Sequence, residues 1–150
     1  MIVVYRLSSS RFPANSGAGA ALGGRRWNPA GTEVVYASDS PALGTLEALA
    51  QNAVLPTDFV ITPIWIPDRV IPIEVSPSEL PQGWNDPGAP VDFTQRRGAR
   101  WISEGISAVL KVPSAIIPLA WNYVLNVAHP DFGNIEFQPS EPFRFDPRLK

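Results

Sequence analysis

The chain has 150 residues, 45% hydrophobic and 17% charged, with a net charge of −2 and no cysteine. That balance describes one globular domain with one sizeable core, and it excludes a disordered chain, a disulfide framework and thiolate chemistry. A single histidine excludes a multi-histidine metal site, and a pI of about 5.3 argues against direct nucleic-acid binding, which needs a concentrated basic face.

Seventeen prolines predict short elements with frequent stops. "IVVYRLS" (2–8) reads as a strand, and residues 9–31 as a long loop centred on "NSGAGAALGG", a length that in a compact domain usually serves function. "EVVYAS" (33–38) is a second strand. "SPALGTLEALAQN" (40–52) is a helix with Ser40 as N-cap, Pro41 at its first position and Leu43, Leu46 and Ala50 at helical spacing. "DFVITPIWIP" (58–67) and "VIPIEV" (70–75) are strands interrupted by proline, and "DFTQRRGARWISEG" (92–105) is a helix with Asp92 near its cap. "SAVLKVPSAIIP" (107–118) reads as two short strands joined at Pro113-Ser114, "HPDFGN" (129–134) as a turn, and "IEFQ" and "FRFD" as closing strands. The fold class is α+β, a single domain over residues 1–150 with more strand than helix and two main helices. No apolar run reaches the length of a membrane span, and the first residues lack the layout of a signal peptide, so no membrane association and a cytoplasmic location are expected.

Five positions bear on chemistry. Glu47 lies at i+4 from Leu43 and so borders the apolar stripe of its helix, where a carboxylate either rests its stem on the core or faces a cleft. Arg25 and Arg26 follow the glycine-rich run; arginine there suits a phosphate or a carboxylate, and the alternative is a solvated pair. Strand alternation puts Val34 and Tyr36 on one face and Val35 and Ala37 on the other, so Tyr36 is either a core tyrosine or a wall of the site. Ser114 could form a hydrolase triad with His129 and an aspartate, but no nucleophile elbow supports it, and His129 with Asp131 reads better as a turn.

Taken together, the blocks resemble the RES-domain family. The resemblance runs from "VYRL" (4–7) through "GGRRWNPAGTEVVYASDSPALGTLEAL" (23–49), "VPSAIIP" (112–118) and "NYVLNVAHPDF" (122–132) to "FRFDPRL" (143–149), with the family arginine, tyrosine, glutamate and serine falling on Arg26, Tyr36, Glu47 and Ser114. It implies a split, twisted β-sheet core similar to the diphtheria-toxin type of ADP-ribosyltransferase. It also implies the toxin of a toxin–antitoxin pair that degrades NAD+ as substrate, by hydrolysis or by phosphorolysis with inorganic phosphate, and needs no cofactor. The implied partner is an Xre-type helix-turn-helix antitoxin that covers the active site, with a homodimer inside the complex left open. On this reading Glu47 stabilises an oxocarbenium-like transition state, holds a ribose hydroxyl or orients the incoming water or phosphate, Arg26 grips the pyrophosphate or a ribose-side oxygen, Tyr36 stacks on nicotinamide, and Ser114 binds substrate or holds Glu47. A protein ADP-ribosyltransferase and a catalytically silent binding module of the same fold are the alternatives.

Overall fold

The computed structural model describes residues 1–150. β1 (Ile2–Ser9) leads through a loop and a short helix α1 (Ala18–Gly23) to β2 (Val34–Ser38), helix α2 (Pro41–Gln51) and β3 (Phe59–Ile66). After the two-residue β4 (Ile73–Glu74) come helix α3 (Asp92–Glu104), β5 (Val109–Pro113), β6 (Trp121–Asn126) and the short β7 (Glu136–Phe137) and β8 (Glu141–Pro142). All strands join one mixed sheet of order β4-β5-β6-β2-β1-β3-β7, with β8 also on β3 and only β4–β5 parallel. The class is therefore α+β, as expected.

The sheet is split in its middle. β1 pairs with β3 along its whole length, from Ile2↔Ile66 to Ser9↔Phe59, and β2 pairs with β6 from Val34↔Asn126 to Ser38↔Asn122. Between β1 and β2 there is a single pair, Tyr5↔Ser38. The two halves diverge from that rung, and the site occupies the divergence.

Each face of the sheet buries its own cluster, as the alternation of β2 requires. Val35 and Ala37 pack with Val4, Ile64, Val109, Tyr123 and Leu125, whereas Val34 packs with Trp27, Trp101, Leu110, Val112 and Val124, and Tyr36 lies against that second group. Helix α3 covers the second face through Trp101, whose indole N–H donates to the Ser107 carbonyl at 2.8 Å. Where α3 crosses the 25–28 turn, Gly98 is the contact residue: a Cβ there would lie 1.7 Å from the Trp27 carbonyl oxygen. Alanine would gain up to about 1 kcal/mol of helix propensity. The atom it meets is backbone and cannot swing aside, so the clash outweighs that gain. Gly98→Ala is expected to lose about 1–3 kcal/mol of stability in urea unfolding. Gly44→Ala is the control, because its Cβ would meet only the mobile end of Leu7, at 2.9 Å, and it should lose less.

Helix α2 begins as predicted, with Pro41 in its first turn and Ser40 Oγ accepting from the Leu43 N–H at 3.0 Å. Its buried face differs in detail: Leu43, Gly44 and Ala48 are covered, and Leu46 and Ala50 are exposed. Glu47 still borders the covered stripe. The 9–31 segment is not all loop, since α1 forms inside it. Helix α3 lacks a side-chain N-cap; Asp92 is its first residue, and Gly105 closes it at φ +63°. Only residues 109–113 of the 107–118 segment form a strand; the return strand is β6, which lies wholly beyond that segment. The expected strand over 70–75 shrinks to Ile73–Glu74, and the closing pairs fall at 136–137 and 141–142, so "FRFD" is not a strand.

Candidate active site

The site is built outward from β2. Tyr36 and Ser38 share a face of this strand, about 7 Å apart along it. Tyr36 organises the arginine turn, and Ser38 begins a chain of hydrogen bonds that ends on Glu47.

The Tyr36 hydroxyl donates to Asn28 Oδ1 at 2.7 Å and accepts from the Trp27 N–H at 3.1 Å. Asn28 is fully buried, and its amide N–H2 donates to the carbonyls of Ala20, Pro29 and Thr32 at 3.0–3.2 Å. These bonds convert a glycine-rich stretch into a fixed turn. Arg25 and Asn28 form a β-bridge, and Gly24, at φ +71°, enters the turn where a Cβ would meet the Ala30 nitrogen at 2.8 Å. Trp27 points into the core and is a packing anchor. Burial pushes the Tyr36 phenol above its ordinary value, and the Trp27 N–H and the charges of Arg25 and Arg26 pull it back only in part, so it is a neutral phenol at working pH. Its hydroxyl is occupied by the turn; only its ring remains to meet a ligand.

With Trp27 turned inward, Arg26 turns toward the 80–90 segment. Its Nη1 donates to the Trp84 carbonyl at 3.2 Å, and its guanidinium carbon lies 5.7 Å from the centre of the Trp84 ring. Arg25 is exposed and donates from Nη1 to Gln51 Oε1, at the end of α2, at 2.8 Å.

A third arginine, Arg6, was not among the residues singled out from the sequence. It sits on β1 one residue past the only β1–β2 rung, and its Nη1 donates to the Tyr36 carbonyl at 3.1 Å across the opening. Its Nε is buried without a partner. Burial, with a smaller contribution from the Arg25 charge, lowers its pKa to about 10. The signal available in the sequence was a charged residue inside the apolar strand "IVVYRLS". Three guanidinium groups thus gather around Tyr36 in a protein whose net charge is −2.

Glu47, on α2, is half-buried, and its Oε2 receives two donors: Ser114 Oγ–H at 3.0 Å and Asn122 Nδ2–H at 2.5 Å. Ser114 also accepts, from the backbone N–H groups of Ile116 and Ile117 at 3.2 and 3.1 Å. Its proton therefore points at Glu47 and its lone pairs hold the 114–117 loop, so it positions the carboxylate. No triad forms: His129 Nδ1 accepts from the Asp131 N–H at 2.9 Å, and Nε2 donates to the Gly105 carbonyl at 2.9 Å, capping the 3-10 turn Pro130–Asn134. The structure thus joins Glu47 directly to Ser114 and ties Tyr36 to the turn that carries Arg26.

The RES domain family model matches residues 3–146. The chain is 37% identical over 139 residues to the "Prs ADP-ribosylating toxin" of Sphingobium sp. strain YBL2, covering 89% of this chain and 85% of that protein. It is 38% identical over 135 residues to "Toxin Res" of Photorhabdus laumondii, covering 87% and 85% of the two. Among solved structures, a chain of the M. tuberculosis MbcT–MbcA toxin–antitoxin complex superposes with a TM-score of 0.77 at 18% identity, over 95% of this chain and 84% of that one, which extends the likeness of fold beyond likeness of sequence. A family match over nearly the whole chain, together with these identities, makes this protein a member of the RES domain family.

Proposed function

We propose that this chain is the toxin of a toxin–antitoxin pair and that it cleaves the nicotinamide–ribose bond of NAD+. The observation that carries the chemistry is Glu47: a half-buried carboxylate fixed by Ser114 and Asn122, on the helix that follows the strand whose Tyr36 holds the arginine turn. NAD+ has the matching charges. Its nicotinamide ribose becomes cationic as the bond breaks, and its pyrophosphate is anionic. The bonding electron pair leaves with nicotinamide, which departs neutral, so no general acid is needed. The developing oxocarbenium ion is stabilised by the Glu47 carboxylate. Water or phosphate then adds to the anomeric carbon and gives up a proton. Arg6 and Arg26 hold the pyrophosphate, and the ring of Tyr36 offers its face to the nicotinamide. The toxin role is supported by relatives named as toxins and by a structural neighbour from a toxin–antitoxin complex. An Xre-type antitoxin seated over the opening between the 9–31 segment and α2 completes the reading.

One observation favours a second reading. A relative at 37% identity is named an ADP-ribosylating toxin, which puts a protein side chain in place of water or phosphate as acceptor. The deciding experiment incubates the pure protein with NAD+, with and without phosphate and with a cell extract, and separates the products. Free nicotinamide with ADP-ribose or its 1″-phosphate supports cleavage; label carried on an extract protein supports transfer. No turnover under any of the three conditions defeats both. Within the main reading, Arg26→Ala is expected to raise the KM for NAD+ about tenfold, and Arg25→Ala, whose guanidinium is exposed, less than threefold, because a solvated ionic contact contributes little. Steady-state kinetics on the two variants check this order.

A further inference from the structure

Ser38, Asn122 and Glu47 form a directed chain. Ser38 and Asn122 face each other across the β2–β6 ladder, and Ser38 Oγ–H donates to Asn122 Oδ1 at 2.7 Å. Asn122 Nδ2–H in turn donates to Glu47 Oε2. The orientation of the amide follows from its neighbours. An ionised carboxylate only accepts, so the N–H2 group has to face Glu47; a hydroxyl can donate, so the oxygen has to face Ser38. Ser38 itself is buried, with 5% of its surface exposed, on a strand held by paired neighbours on both sides. The chain therefore ties the carboxylate to the sheet itself. Glu47 stands on a helix and Ser114 at the start of a loop, so neither offers that rigidity.

Both donors converge on one oxygen. Oε2 takes Ser114 and Asn122, and Oε1 takes no hydrogen bond from the protein. Two anchors on one carboxylate oxygen leave the other directed and free to meet a ligand. We propose that Asn122, oriented by Ser38, is a positioning residue that fixes the Glu47 carboxylate so that Oε1 is the oxygen presented to the substrate. This rests on the reading of Glu47 as the group that stabilises the cleaved ribose. A side chain that only aims another acts in the transition state, where the placement of charge counts most, and contributes little to ground-state binding.

The test uses Asn122→Ala, Asn122→Asp, Ser38→Ala and the double variant Ser38→Ala/Asn122→Ala in the full chain, with NAD+ as substrate. Thermal melting establishes which variants fold. Asn122→Ala is expected to lower kcat about tenfold or more with KM within twofold of wild type. Asn122→Asp, which keeps the shape and removes the donor, is expected to lower kcat at least as far. Ser38→Ala should lose less, in the same direction, and the double variant should be no worse than Asn122→Ala, because Ser38 acts only through Asn122. Three results overturn the proposal: kcat unchanged in a folded Asn122 variant, a loss in KM alone, or losses that multiply in the double variant. If Asn122→Ala does not fold, Asn122→Asp and Ser38→Ala carry the same comparison. A crystal structure of a folded Asn122 variant supplies a readout without catalysis: Glu47 should leave its wild-type orientation, and an unmoved carboxylate refutes the positioning role. If the wild-type protein fails to turn over NAD+, the functional reading falls, and the crystallographic result still decides whether Asn122 holds Glu47.

Discussion

Glu47→Gln should fold as wild type does and lose a hundredfold or more in the rate of NAD+ cleavage. The fold survives because glutamine can present its amide oxygen where Oε2 stood. That oxygen still accepts from Ser114 and Asn122, and the 114–117 loop keeps its two bonds to Ser114 Oγ. The amide N–H2 then takes the place of Oε1. What has gone is the negative charge beside a developing cation, and loss of one preorganised electrostatic group costs about a hundredfold or more. The substitution thus separates charge from shape: thermal melting should place the variant close to wild type, while kcat collapses and KM changes little. A near-native rate in a folded Glu47→Gln would remove Glu47 from the chemistry and leave the stabilisation of the cation to another group. A lowered melting temperature with proportionate loss of rate would instead make Glu47 a structural group.

The elements that could be read from the sequence are those whose signals are local. Helix α2 announces itself by Ser40 and Pro41, and the cap that forms is the one those residues specify. The two faces of β2 follow from alternation alone, which puts Tyr36 with Val34 and opposite Val35 and Ala37. Helix α1 was missed for the opposite reason. It is six residues long, starts without a side-chain cap and contains two glycines, Gly19 and Gly23, so its own propensity is poor. It is held from outside, by the Asn28 amide on the Ala20 carbonyl and the Gly31 N–H on the Ala21 carbonyl. β6 was missed because Tyr123, Val124, Leu125 and Asn126 are buried in succession, and a strand covered on both faces has no alternation to show.

The same division runs through the site. Arg26, Tyr36, Glu47 and Ser114 are read as a set from blocks that recur in order, yet the contacts between them join residues far apart in sequence. Ser114 meets Glu47 from 67 positions away and Asn122 meets it from 75. A serine and an asparagine carry no mark of this in their local sequence. The structure adds the contacts: the Tyr36 hydroxyl is bonded to the arginine turn, and Ser114 donates to the Glu47 carboxylate, one of the two roles read for it from the sequence.

Arg6→Met should leave the protein at least as stable at neutral pH and raise the KM for NAD+ by about tenfold to a hundredfold. A charged guanidinium buried with one protein contact and an unpartnered Nε is an unfavourable placement for folding. Methionine fills a similar length and removes the desolvation penalty, at the loss of one hydrogen bond to the Tyr36 carbonyl, about 1 kcal/mol. The sign of the pH dependence follows from linkage. The folded-state pKa of Arg6 is lowered from its ordinary value to about 10, so the unfolded chain holds the proton more tightly than the folded one. The penalty is therefore fully present below about pH 10 and shrinks as pH rises from there toward the ordinary arginine value. The variant's stability relative to wild type should be greatest at neutral pH and decline above about pH 10, measured by urea unfolding at a series of pH values. A residue that weakens the fold and is kept at the divergence of two central strands is placed for a ligand that can pair with it, and charge-assisted hydrogen bonds of about 1.5–3 kcal/mol account for the expected change in KM. Unchanged KM in a folded Arg6→Met would make Arg6 a strut across the split sheet, and marked destabilisation at neutral pH would show that its bond to Tyr36 outweighs its burial.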